Sequence, residues 1–166
     1  MKKLLISAAM AAMFGGVVPA AQAAAVSGNF NVTVTLTSVC TIGAIGDLAF
    51  GTYTAFGGAV NATPTTATLS CTRGLAGVLA NFDTAAPGST AAAAAANAVG
   101  AGVIQGLQYT ILATPGVVLA GAAATAGSIG GADTRPYTIT GNMPAAQAGD
   151  PTQNASPQAR TLTITY

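Results

Sequence analysis

Histidine, tryptophan and glutamate are missing from this 166-residue chain, and its only lysines are Lys2 and Lys3. Beyond those two lysines the charges are Arg73, Arg135 and Arg160 against Asp47, Asp83, Asp133 and Asp150, a net of −1. Each absence closes a class of function. General acid–base chemistry would have to rest on isolated aspartates, and a nucleophilic Ser or Thr would have neither His nor Lys to activate it. Two cysteines without a histidine make no metal set, and no glycine-rich stretch has phosphate-loop spacing. A surface this poor in charge has no field with which to hold nucleic acid or an anionic membrane. The residues therefore predict a protein that is not an enzyme and needs no cofactor. Scarce charge suits a protein whose normal neighbours are copies of itself. The aspartates read as turn formers in loops, the arginines as surface charges or interfacial pairs, and the Tyr and Phe side chains as core.

What is present begins with an export signal. Met1–Lys3 is a positive n-region, Leu4–Val18 an apolar h-region, and Ala21-Gln22-Ala23 a small-x-small cleavage pattern, with a near-equivalent site one residue later. Residues 1–24 are expected to be a cleaved signal peptide, with cleavage after Ala23 or Ala24. No other stretch is apolar enough to span a bilayer. In an exported chain the two cysteines, Cys40 and Cys71, are expected to form a disulfide. Closing a loop of that length contributes roughly 3–4 kcal/mol.

Just after the signal, the stretch Val26–Cys40 (VSGNFNVTVTLTSVC) alternates apolar and polar residues through Thr37. Val26, Gly28, Phe30, Val32, Val34 and Leu36 occupy one face and Ser, Asn and Thr the other, the period of a β-strand with one dry side. At roughly 3.3 Å per residue this strand would reach about 35 Å, longer than usual, and it stands where chain ends normally fray. Further strands are predicted at Leu48–Tyr53, Thr65–Cys71, Val78–Phe82, Leu107–Ala113, Val117–Leu119, Tyr137–Thr140 and Thr161–Tyr166. Gly, Pro and Asn turns separate them. The Ala-rich residues 84–102 and 121–131 read as surface connections, the former with at most one helical turn. Many short strands without an amphipathic helix indicate an antiparallel sandwich. Neither the opening nor the closing strand carries the charge or proline that usually guards an edge.

The segments VCTIGAIGDLAFGTYTAFGGAV and ATLSCTRG, the Leu107–Ile111 LxYxL-like run, and YTITGNMPAAQAGD followed by the final TLTITY together resemble the spore coat protein U family, which includes the Csu-type pilins of archaic chaperone–usher pili. The chain departs from that pattern at Arg160-Thr161, after Leu107, and in its Ala-rich loops. The resemblance implies an all-β, incomplete immunoglobulin-like antiparallel β-sandwich with an N-terminal donor strand. A periplasmic chaperone, and then the N-terminal extension of the next subunit, would supply the missing strand. The implied organisation is a donor-strand extension over 25–37 and a pilin domain over 38–166. Val26, Phe30, Val32, Val34 and Leu36 would enter an acceptor groove, with Gly28 where a small residue is needed. Leu162, Ile164 and Tyr166 would form the strand that lines the groove and meets the chaperone.

The function so implied is a structural pilin that polymerises head to tail by donor-strand exchange into a surface fibre for adhesion or biofilm formation. Its partners would be identical or homologous subunits, the chaperone and an outer-membrane usher, and its route through the periplasm to the cell surface. The competing reading is a self-complete secreted coat-type or binding-module protein whose N-terminal strand pairs within its own sheet.

Overall fold

A computed structural model describes residues 26–74 and 76–166; the expected signal peptide, residues 1–24, lies outside them. The chain divides between Thr35 and Leu36 into two units. In the first, the described residues 26–35 form no helix or strand, and Val26, Phe30, Val32 and Val34 are all exposed. Among the described residues, 26–36 thus join none of this chain's own sheets, although their pattern read in isolation is that of a strand.

The second unit is all β among its described residues. Its strands are β1 (Cys40–Ile42), β2 (Val60–Asn61), β3 (Thr65–Cys71), β4 (Leu79–Phe82), β5 (Thr90–Ala91), β6 (Ala98–Ile104), β7 (Leu107–Pro115), β8 (Asp133–Met143) and β9 (Leu162–Thr165). Seven of them make one antiparallel sheet in the order β1-β3-β8-β7-β6-β5, with β2 sharing the β3 edge of β8; the other two, β4 and β9, pair with each other. Sequence period two explains the layers. Ala67, Leu69 and Cys71 on β3, Tyr109, Ile111 and Ala113 on β7, and Tyr137 and Ile139 on β8 all turn inward, while the intervening threonines face out. Phe82 of β4 and Leu162 of β9 close over them from the smaller sheet. The result is an immunoglobulin-like antiparallel sandwich with one full sheet and one two-stranded sheet.

Cys40 pairs opposite Cys71 in the β1–β3 ladder and the two are disulfide-bonded, as expected. The sequence expectation fails in three other places. Leu48–Tyr53 is not a strand, although Leu48 and Phe50 do pack on the core. Residues 84–102 are not a plain surface connection: they hold β5 and most of β6, with no helical turn. The reason is that β6 builds its inward face from Ala98, Gly100 and Gly102, which carry no apolar signal. A Cβ on Gly102 would lie 2.4 Å from the Tyr109 hydroxyl, so a larger residue there would evict that ring. Val117–Leu119 is likewise no strand, though Leu119 makes a single bridge to Thr134.

Candidate functional site

The two sheets do not close on each other along one side. Between β9 and the irregular segment Ile45–Tyr53 lies an open cleft of about 900 Å³. Its floor is the inner face of the large sheet, Leu107, Tyr109 and Ile111 of β7 with Ile139 and Met143 of β8. One wall of the cleft is Ser156–Arg160, leading into β9, with Leu162, the first residue of that strand; the other is Gly46–Tyr53.

Each wall is held for a local reason. On the first, β9 spends one edge on β4, in the register Leu79↔Thr165 to Phe82↔Leu162. β4 in turn bonds Ala95 on its far side, its Ala80 N–H donating at 2.7 Å and its carbonyl accepting at 3.0 Å. That arrangement leaves β9 as the edge strand, and among the described residues its other edge has no strand partner. On the second wall, the β2–β3 strand breaks at Thr63-Pro64, and the Thr63 N–H turns out of the ladder to donate to the Ala49 carbonyl at 2.9 Å. Leu48 and Phe50 then lie over Gly141, where a Cβ would come within 2.7 Å of the Phe50 ring. The Tyr53 hydroxyl donates to Pro144 O at 2.8 Å and accepts from the Gln147 N–H at 3.0 Å. The Gln147 side chain in turn clamps the Gln108 backbone, accepting at 2.6 Å and donating at 3.0 Å. The cleft is thus preformed, with an apolar floor and backbone available along the β9 wall.

One end of the cleft is polar. Arg160, on the approach to β9, is nearly buried and donates from Nε to Asp83 at 2.9 Å, from Nη1 to the Tyr109 hydroxyl at 2.9 Å and from Nη2 to the Asp83 carbonyl at 2.7 Å. The Tyr109 hydroxyl donates a hydrogen bond to Gln158 Oε1, and Gln158 Nε2 donates to Val103 O at 3.1 Å. Burial pushes the Asp83 carboxyl up, but the Arg160 guanidinium and the Thr161 N–H outweigh it and hold that carboxyl below its ordinary value. The sequence alone reads Arg160 as a surface charge or an interfacial pair and Asp83 as a turn former. The signal that could have found them is their scarcity, since few charges in a chain leave few ways to pair them. Asp133, also read as a turn former, stands at the start of β8. Its carboxylate accepts from the Gly74 N–H at 2.8 Å and the Gly121 N–H at 2.8 Å, which, with Arg73 nearby, hold the carboxyl below its ordinary value. Asp150 does form a turn, accepting from Thr152.

The residues singled out in the sequence fall into two groups. Leu162 is buried against the cleft, Ile164 is half-buried on the core, and Tyr166 is half exposed. Phe30 is 86% and Val34 91% exposed, Leu36 is exposed, and a Cβ on Gly28 would meet nothing within 4 Å. Among the described residues, those from Val26 to Ser38 make no backbone hydrogen bond to any other segment, the first such bond being at Val39.

The described residues contain no helix long and apolar enough to cross a membrane. Comparison with curated proteins and with solved structures finds no match. Comparison with protein families finds one, described as Spore Coat Protein U domain, over residues 26–164. A match of that extent covers residues 26–36, both walls of the cleft and all of β9 but its last residue, and the chain belongs to the Spore Coat Protein U domain family.

Proposed function

We propose that this chain is a structural pilin subunit that polymerises by donor-strand exchange, the strand 26–36 of one copy filling the cleft of the next. The observation that carries the reading is a mismatch within one molecule. Among the described residues it has an open cleft beside a β9 edge without a strand partner, and a separate alternating segment that pairs with no strand. Strand addition would satisfy both: main-chain bonds to β9 complete the ladder, and every second side chain enters the apolar floor. Phe30, Val32, Val34 and Leu36 would contribute about 1.5–3 kcal/mol each on burial, with Gly28 where a small residue is needed. The same contact made head to tail does not close on itself and produces a filament.

Before assembly the free edge and open cleft would need cover, the task of a periplasmic chaperone, and an outer-membrane usher would order the subunits. The fibre would stand at the cell surface, serving adhesion or biofilm formation. The scarce charge of the chain fits a life among neutral copies of itself.

The test is electron microscopy of sheared surface material together with size exclusion of the purified chain. Fibres that survive mild denaturant are expected from the intact chain and none from a chain lacking residues 25–36. Fibres from the truncated chain would end the proposal.

A further inference from the structure

The disulfide stands where the fold begins, and stability alone does not ask for it there. Among the described residues the chain's first main-chain tie is at Val39, which donates to the Thr72 hydroxyl at 2.9 Å and accepts from the Thr72 N–H at 2.9 Å. Cys40 follows at once. It is the first residue of β1, and it is bonded to Cys71, the last residue of β3 and its partner in the ladder. A bridge at either of the other two pairs, Thr41↔Ser70 or Ile42↔Leu69, would close nearly the same loop. Loop-closure entropy grows only with the logarithm of loop length, so it barely distinguishes the three. What the outermost pair alone does is put all the rest of β1 behind the bond.

One wall of the cleft lies behind it too. Past β1 the chain holds β3 by one more bond, the Gly43 N–H donating to Thr68 O at 2.8 Å, and then becomes the wall Gly46–Tyr53. The main chain of that wall is tied by the Ala49 carbonyl, which accepts from the Thr63 N–H at 2.9 Å. The rest of its hold is side chains, Leu48 and Phe50 packed on the core and Tyr53 bonded to Pro144 O. These are weak ties. β1 has three residue pairs and only β3 beside it, whereas β3 makes seven pairs with β8.

On the reading that residues 26–36 fill a neighbour's cleft, those ties lie in the path of any pull along the fibre. Tension enters a body through its extension and leaves through the strand in its cleft. Without the disulfide it would strip β1 from the sheet edge, pass Gly43 and arrive at Gly46–Tyr53, the wall that holds the next joint. With the disulfide it crosses covalently from Cys40 to Cys71 and enters β3, an interior strand. Residues 41–70, closed into a loop by the bond, carry no load.

We infer that the Cys40–Cys71 disulfide is a load-bearing bypass, routing tension past the cleft wall so that a pull on one joint of the fibre does not loosen the next. The strength of the fibre, as distinct from its assembly, then depends on the redox state of this bond.

The test stretches single fibres by atomic force microscopy. Fibres of Cys40→Ala/Cys71→Ala should lengthen in steps of up to about 100 Å, the reach of residues 41–70 drawn straight, and break at a several-fold lower force. Unsubstituted fibres should do neither. If the variant makes no fibre, unsubstituted fibres reduced after assembly, with the freed thiols counted by alkylation, take its place. Two further bridges, each added to the alanine variant, separate routing from stability. Thr41→Cys/Ser70→Cys stands ahead of the wall and should restore the breaking force. Asn61→Cys/Asn142→Cys joins β2 to β8 behind the wall, where the two side chains already touch, and should not. Equal breaking force with and without the Cys40–Cys71 bond, or recovery by the β2–β8 bridge, overturns the bypass and leaves strand donation standing. Absence of fibres from the unsubstituted chain overturns both.

Discussion

Strand β7 and residues 26–36 are written in the same pattern and meet opposite fates. β7 reads LQYTILATP; the other reads VSGNFNVTVTL. In β7 every second side chain, Tyr109, Ile111 and Ala113, is buried, and β6 and β8 occupy both edges. Residues 26–36 have the apolar face without the burial and the amides without a ladder. The difference lies in the connections. Gln105 and Gly106, at φ 48° and 68°, make a two-residue turn of the primed type that hands β6 directly to β7. No such turn joins residues 26–36 to a neighbour. Alternation says that a face needs burial, and the turn chemistry says by whom.

The comparison breaks most decisively if the unpaired segment is removed. Deleting residues 25–36 should abolish fibres in micrographs while leaving the circular dichroism of the body intact, because no strand of the body draws on those residues. Matched single changes sharpen it. Ile111→Ala, under β7, should cost the subunit about 2–5 kcal/mol of unfolding free energy. Val32→Ala should cost the isolated subunit nothing measurable in denaturant, yet weaken the fibre by about 1.6 kcal/mol per contact, two methylenes at ~0.8 kcal/mol each.

A smaller effect attends the polar end of the cleft. The Asp83 carboxyl is held below its unfolded value of 3.8, so its contribution is fully present above pH 3.8 and is lost as pH falls through the lower folded value. Unfolding scans below pH 4 should show stability falling with acid, and Asp83→Asn should remove part of that slope, Asp133 and Asp150 supplying the remainder in the same direction. Asp83→Ala should destabilise by less than the ~3–5 kcal/mol of a fully buried pair, because the Asp83 side chain is 22% exposed. The smallest effect separates two tyrosines. Tyr137 is fully buried with no partner for its hydroxyl among the described residues, so Tyr137→Phe should stabilise by about 1 kcal/mol, whereas Tyr109→Phe strands Gln158 and Arg160 and should cost about as much or more.

Much of the fold was legible where burial uses large side chains. Leu69, Ile111, Ile139 and Leu162 announce their strands, and the disulfide followed from two cysteines in an exported chain. β6 was hidden because its inner face is Ala98, Gly100 and Gly102, small so that Phe82, Arg160 and Tyr109 can come close. Leu48–Tyr53 misled in the other direction, since its apolar alternation belongs to a wall beside a gap and not to a ladder. The cleft itself could not be read from any one stretch. Its walls are about a hundred residues apart in sequence, and the Arg160–Asp83 pair at its end spans 77 positions.

The central claim is that residues 26–36 pair with β9 of another copy. Amide hydrogen exchange on the full chain, as purified subunit and as fibre, tests it most directly. The account predicts fast exchange at Val26–Leu36 and along the free amides of Leu162–Thr165 in the subunit, and protection of both segments together in the fibre. Protection of residues 26–36 already in the subunit, or fibres in which neither segment slows, would contradict it.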